Sequence, residues 1–324
     1  MTETRRTLIT GGMGFIGSNL ALRLASDGHQ VTIVDSMVPL YGGNRANIPD
    51  DTPNITVNIS DVRDPHSFEH LIKGQDVLFN LAGQTSHMDS MQNPYTDLDI
   101  NCTAQLSILE ACRKHNPEIR VVYASTRQLY GKPQYVPVDE KHPIRPVDVN
   151  GINKLAGEQY HLLYHDVYGI QTSVLRLTNT IGPRMRIKDA RQTFLGIWVK
   201  CLLDGKPFEV WGGGQLRDFT YVDDCVEALI ACLNTPETFG KVYNLGGCEP
   251  VNLIQLADAL TEAAGQGEYS IKEFPADRKK IDIGDYYSAD QAFRDATGWE
   301  HRTSLHDALK QTVDYYRTRM EAYQ

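Results

Sequence analysis

Near the N-terminus, Thr10-Gly11-Gly12-Met13-Gly14-Phe15-Ile16-Gly17 has the spacing that lets a backbone approach a phosphate closely. Glycines at 11, 14 and 17 permit a tight turn, contact with a pyrophosphate, and close packing of the next helix on the strand. A helix opening at Phe15 and Ile16 turns its free N–H groups and positive dipole end toward that anion. Asp35 follows Gly17 by 18 residues, closing the second β-rich run, where a carboxylate accepts from both ribose hydroxyls. A 2′-phosphate would be repelled there, so the site expected is one for NAD rather than NADP. Asp61 and Val62, after the third run, are placed to meet the adenine ring. A glycine motif alone is only a tight turn; the strand before it and the helix after it make it a dinucleotide site.

Alternating β-rich and helical stretches hold these residues. Thr7–Thr10, Val31–Val34, Ile55–Ile59, Val77–Leu81, Val121–Ala124 and Ser173–Leu177 read as strands, and Asn19–Ala25 has helical spacing. The alternation predicts an α/β fold, a Rossmann doubly wound parallel sheet with a smaller C-terminal substrate-binding lobe. The expected division is a first domain over 1–178, joined again by 213–245, and a lobe from 179–212 and 246–324. Tyr243–Leu245 reads as a late strand, and Val251–Ala264 and Leu305–Tyr316 as helices.

Among 324 residues, 41% hydrophobic and 23% charged, the net charge of −9 argues against nucleic-acid or anionic-membrane partners. No apolar run approaches the roughly 20 residues that cross a bilayer, and the N-terminus does not read as a signal peptide. Six scattered cysteines without a C-x-x-C pair suggest buried thiols in a reducing cytoplasm and no metal site.

Further stretches complete a pattern: Asn80-Leu81-Ala82-Gly83, Ser125-Thr126 with Leu129-Tyr130-Gly131, Lys154-Leu-Ala-Gly-Glu158, and Leu175 through Pro183. Gly212 through Asp224 and Tyr243 through Gly247 extend it. Together they resemble the extended short-chain dehydrogenase/reductase family, in particular its nucleotide-sugar epimerases and dehydratases. The resemblance implies tightly held NAD, with Leu81 and Ala82 also beside it, that oxidises a sugar carbon and later returns the hydride. It implies that Thr126 bonds the reacting hydroxyl and that Lys154 holds the nicotinamide ribose and adds positive field. By the same resemblance Asn179, Arg217 and Arg278 face the nucleoside diphosphate and Trp211 lies beside the base. Helices at 98–114 and 153–168 would pair across a homodimer axis through Leu106, Leu109, Leu162 and Leu163.

The pattern breaks at position 150. In Asn150-Gly-Ile-Asn-Lys154 an amide stands where the resemblance implies a tyrosine, and a carboxamide cannot take a proton near neutrality. Arg127-Gln128 stand where dehydratases of this family carry Asp-Glu, which disfavours 4,6-dehydration and leaves open an arginine that binds an anionic group of the substrate. Three accounts of Asn150 remain. Another group such as His87 supplies the base, histidine being the side-chain type suited to it; or Asn150 and Thr126 orient a relaying water; or no hydride transfer occurs. Gln84 and Asp89 are further polar candidates near the sugar, and the basic run Arg184, Arg186, Lys188 and Arg191 is a candidate for diphosphate or sugar-carboxylate contacts. The expected function is an NAD-dependent nucleotide-sugar epimerase working through a transient keto-sugar. The alternatives are a non-catalytic NAD and nucleotide-sugar binding protein, or a dehydratase or dehydrogenase with a replaced base.

Overall fold

The computed structural model describes residues 4–279 and 281–324, without the side chains at 277 and 278. Seven parallel strands form the central sheet: β1 (Arg6–Thr10), β2 (Gln30–Asp35), β3 (Ile55–Ile59), β4 (Val77–Asn80), β5 (Arg120–Thr126), β6 (Gln171–Leu177) and β7 (Lys241–Asn244). Their spatial order is β7-β6-β5-β4-β1-β2-β3. The inner strands read as apolar runs because helices cover both faces: Leu8, Ile9, Ile33, Leu78, Phe79, Val121 and Val122 are all buried, whereas the edge strand β3 is largely exposed. The doubly wound sheet expected from the alternation is present.

Winding reverses between β1 and β4, which lie side by side with Thr10 opposite Asn80. A crevice opens at the carboxyl ends of such a pair. Helix α1 (Phe15–Ser26) begins at one lip; the short helices α2 (His87–Gln92) and α3 (Pro94–Leu98) lie beyond the other, followed by α4 (Ala104–His115).

Helix α5 (Val149–Tyr168) carries residues 150 and 154 on one face, four apart and so one turn from each other. Asp148 caps it, accepting from Gly151 N at 2.7 Å, and Gly169 ends it in the left-handed conformation at φ 74°. Both ends are therefore pinned, which locates Asn150 and Lys154 against the sheet.

The later chain builds a second core from α6 (Phe194–Leu203), α8 (Leu253–Ala264) and α9 (Leu305–Arg317), with Trp198, Phe208, Leu256, Leu260, Val313 and Tyr316 packed together, while α7 (Val222–Asn234) packs into the sheet's own core through Cys225, Leu229 and Leu233. A two-stranded parallel pair, Phe208–Trp211 with Tyr269–Lys272, edges this layer. The start of the stretch read as helix from Val251 is instead a short strand, Val251–Asn252, because Asn252 forms a capping box with Gln255 and the helix starts at Leu253. No helix among the described residues is long and apolar enough to cross a membrane.

Candidate functional site

The glycine turn is shaped by contacts that leave no room for side chains. Gly11 sits at φ 68°, and a Cβ on it would lie 3.0 Å from Ala82 Cα, so the β1 and β4 loops touch. A Cβ on Gly17 would fall 2.3 Å from Gly11 O, a backbone atom that cannot step aside. Gly17→Ala is expected to destabilise the protein by about 2–3 kcal/mol and to strip bound dinucleotide. Urea denaturation alongside quantitation of co-purified NAD checks both; a variant as stable and as fully loaded as wild type would refute the role given to this turn.

Asp35 is buried at the end of β2, its Oδ2 accepting Met13 N at 3.0 Å and its Oδ1 accepting Met37 N at 2.9 Å. Burial raises its pKa, and those two N–H groups oppose the rise. Each carboxylate oxygen keeps a lone pair for a ribose hydroxyl. Asp61 lines the same cavity but is forked to Arg63, at 3.0 and 2.6 Å, which lowers its pKa. Val62, Phe15, Ile16, Leu81 and Ala82 supply apolar wall. Thr10 Oγ1 accepts from Leu81 N and Ala82 N, each at 3.1 Å, and donates to Asn80, fixing the second lip. The cradle, the apolar wall and a carboxylate at the ribose position fit a dinucleotide.

The cavity continues from this groove to Gln84, His87, Thr126, Arg127, Asn150, Lys154 and Asn179. Lys154 is buried, donates to Ala124 O at 2.8 Å and lies 4.8 Å from the centre of the Tyr123 ring. Burial pushes its ammonium down to about 8, against the pull of Asp97 and Glu158. Asn150 points its amide into the protein: Nδ2 donates to Gln84 O at 2.8 Å and to Asp97 Oδ2 at 3.1 Å. Asn153 holds the other oxygen of Asp97 at 2.8 Å, so two amides share one fully buried carboxylate. Thr126 stands at the end of β5 with Oγ1 accepting Gln128 N at 3.2 Å.

His87 and Asp148 form a pair that neither local sequence announces. Nδ1 of His87 comes within 2.9 Å of the buried Asp148 Oδ2, in an approach bent away from the ring N–H direction. Asp148 also accepts Gln128 Nε2 at 2.9 Å and caps α5. Burial works against its charge, but the nearby His87 ring and the Gly151 and Gln128 donors together hold its pKa below the ordinary carboxylate value.

Other expected residues lie elsewhere. Trp211 and Arg217 line a second cavity with Phe194, Trp198, Gln215, Phe274 and Asp282, on the lobe side. Arg217 pairs with Asp282 at 3.3 Å, and burial lowers its pKa to about 10. Arg191 lines neither cavity; its guanidinium bonds Asp89 at 2.8 Å and Asp189 at 3.0 Å. The rest of the basic run is likewise occupied by the protein. Arg184 bonds Asn47 O and Asn19, Arg186 bonds Tyr41 O at 2.7 Å and Asp189, and Lys188 reaches Pro39 O. Arg184, Arg186 and Lys188 tie the segment 184–188 to the loop after β2. The side chain of Arg278 lies outside the described residues. Tyr130 is structural: its hydroxyl donates to Asn244 at 2.7 Å and accepts from Arg176 at 2.6 Å. Asp97 was not singled out from the sequence, and no local signal marks it. Asp148 had one, a capping residue ahead of a helical run.

Comparison with known proteins agrees with this geometry. The chain is 31% identical to a protein of Methanocaldococcus jannaschii provisionally named UDP-glucose 4-epimerase, covering 96% of this chain and 98% of that one. It is 30% identical to UDP-glucuronic acid decarboxylase 1 of Xenopus tropicalis over 98% of this chain and 74% of the relative. The Thermus thermophilus UDP-glucose 4-epimerase, solved as a complex with NAD, superposes with a TM-score of 0.85 at 28% identity, covering 97% of this chain and 99% of that one. The cofactor is NAD. The model of the NAD dependent epimerase/dehydratase family matches residues 7–246, and the chain belongs to that family.

Proposed function

We propose that this protein is an NAD-dependent 4-epimerase of UDP-sugars. The observation that supports this most is one continuous cavity joining the dinucleotide groove to Thr126, His87, Asn150 and Lys154. The uridine nucleotide and the 4-position follow the relatives' names. In this reading Gly11, Gly14 and Gly17 hold the pyrophosphate, Asp35 the adenosine ribose, and Lys154 the nicotinamide ribose. Trp211 and Arg217 take the nucleotide end of the sugar substrate, while Asn179 lines the first cavity, bonded to Arg127. Held there, NAD would supply reversible hydride acceptance at the sugar carbon, from one face and back to the other.

The protein's own part is proton handling. Thr126 Oγ1 bonds the reacting hydroxyl, and His87 takes its proton as the ketone forms. The proton goes back to the oxygen when the hydroxyl is restored. Asp148 steadies the imidazolium, as a carboxylate does for a histidine base. Lys154 favours the developing oxyanion with its charge. Asn150 does not carry the proton; it anchors α5 to Asp97, so the vacated tyrosine position has become a structural joint. The substrate lobe is the 179–212 and 246–324 division given above.

Purified NAD-loaded protein incubated with UDP-glucose in deuterated water is expected to form the 4-epimer without deuterium at the reacting carbon, since the hydride returns internally. Deuterium entry would favour proton loss from carbon and sink this mechanism. Absence of any product, with NAD never reduced, would favour the binding-only reading, which the internal hydrogen bonds of Asn150 support. His87→Ala is expected to lower kcat about 100-fold with little change in KM, and added imidazole to restore part of it. An unaltered kcat would remove His87 from the proton path.

We further propose that the protein is cytoplasmic and a homodimer. Ile152, Leu163 and Val167 present exposed apolar groups on α5, at 56%, 51% and 59% exposure. Leu109 on α4 is fully buried within its own subunit and cannot join such a contact.

A further inference from the structure

Arg127 lies beside Thr126 at the end of β5, in the cavity that holds Lys154 and His87. Its Nη2 donates to Asn179 Oδ1 at 2.9 Å, and its guanidinium carbon lies 5.0 Å from the centre of the Tyr286 ring. Nη1 is buried and has no hydrogen-bond partner. Among the described residues Arg127 makes no ion pair, and the two carboxylates that bias it are both engaged. Asp218 accepts from Thr178 and from Ser288 N at 3.0 Å, and Asp282 pairs with Arg217. Burial lowers the Arg127 pKa, as desolvation without a counter-ion does.

A desolvated cation without a partner is costly, several kcal/mol in a protein interior. A residue that only bonded neutral ring hydroxyls would not need the charge, since an amide serves as well. A buried guanidinium with one unpartnered nitrogen, on a residue that lines the substrate cavity, is matched by an anion. Two anions could come within reach: the diphosphate, or an acidic group on the sugar. The positions separate them. Arg217 and Trp211 line the second cavity, whereas Arg127 lines the first, adjoining Thr126, on the reacting sugar's side.

Building on the epimerase reading, we propose that Arg127 is a carboxylate receptor and that the preferred substrate is a nucleotide sugar carrying a carboxylate on its ring, a uronate. The carboxylate accepts from Nη1, while Asn179 and Tyr286 hold the guanidinium in place. Thr126 and Arg127, consecutive on one strand end, thereby read a hydroxyl and an acid on the same sugar.

Calorimetric titration of NAD-loaded protein with UDP-glucuronate, UDP-glucose and UDP tests this. Wild type is expected to bind UDP-glucuronate at least about tenfold more tightly than UDP-glucose, the scale of one charge-assisted hydrogen bond. Arg127→Gln is expected to erase that ratio, weakening UDP-glucuronate about tenfold more than UDP-glucose. Arg127→Lys, which keeps the charge without the planar fork, should retain part of the ratio and serves if the glutamine variant fails to fold. Equal wild-type affinity for the two sugars overturns the proposal, as does a ratio that survives in Arg127→Gln. Equal weakening of all three ligands, UDP included, assigns Arg127 to the diphosphate and overturns it too. Wild-type binding of UDP-glucose without discrimination leaves the epimerase reading standing. No binding of any of the three by NAD-loaded wild type removes both.

Discussion

Lys154→Met is expected to cut turnover of UDP-glucose about 1000-fold, the scale on which a preorganised donor to a developing oxyanion acts. The side chain is buried and reaches the cavity from α5, one turn from Asn150. The same substitution should change how stability depends on pH. Burial depresses the ammonium from 10.5 to about 8. Between those values the unfolded chain holds a proton that the folded chain has released, so this side chain's contribution to stability rises as pH climbs through that window. Below pH 8 the contribution is at its least favourable, by about 3 kcal/mol. The difference in unfolding free energy between wild type and Lys154→Met should therefore shift in favour of wild type from pH 8 to pH 10.5. Urea titrations at several pH values measure it. A flat difference would mean the lysine is solvated in the folded protein, and near-normal turnover would remove it from the chemistry.

Breaking the ion pair behind the site should be the costliest change to stability. Glu158 on α5 and Arg176 on β6 are both buried, joined Nε to Oε2 at 3.0 Å. Ser125 donates to the same carboxylate at 2.8 Å, and Arg176 reaches Tyr130, which reaches Asn244 on β7. One network thus ties α5 to three adjacent strands. Glu158→Ala leaves a buried guanidinium uncompensated, and a loss of about 3–5 kcal/mol is expected. Replacing both members by methionine should recover much of it, because the desolvation cost leaves with the charges. Denaturation of the single and double variants decides the matter. A single-variant loss below about 1 kcal/mol would show that water or a neighbouring acid takes over the pairing.

β1, β2, β4, β5 and β6 were legible as short apolar runs buried on both faces, and β3, an exposed edge strand, by its β-branched residues; observed bounds match the expected ones to within two residues. The glycine turn was legible for the same reason: its requirement for small residues is met within eight consecutive positions. The basic run was read less well. Four cations in 184–191 suggest an anion site, yet Asp189 within the run and the distant Asp89 pair with Arg186 and Arg191, and Asn19, Tyr41 and Asn47 from distant segments occupy further guanidinium donors. Asn150 illustrates the same limit. Its type excludes it as a base, but its partner Asp97 lies 53 positions away on another helix.

What the amino-acid sequence alone determined, then, is the doubly wound sheet, the phosphate turn, the carboxylate at its second strand and an amide rather than a phenol at position 150. These follow from turn geometry, hydrophobic period and side-chain chemistry, all of which act over a few residues. Only the tertiary structure decided that Asp148 meets His87, that two amides close on Asp97, and that Arg127 keeps an edge of its guanidinium free. Those contacts join segments 53 to 61 positions apart, or depend on a partner being absent. Spacing along a chain carries no record of either, because the packing of helices on the sheet sets which distant side chains meet.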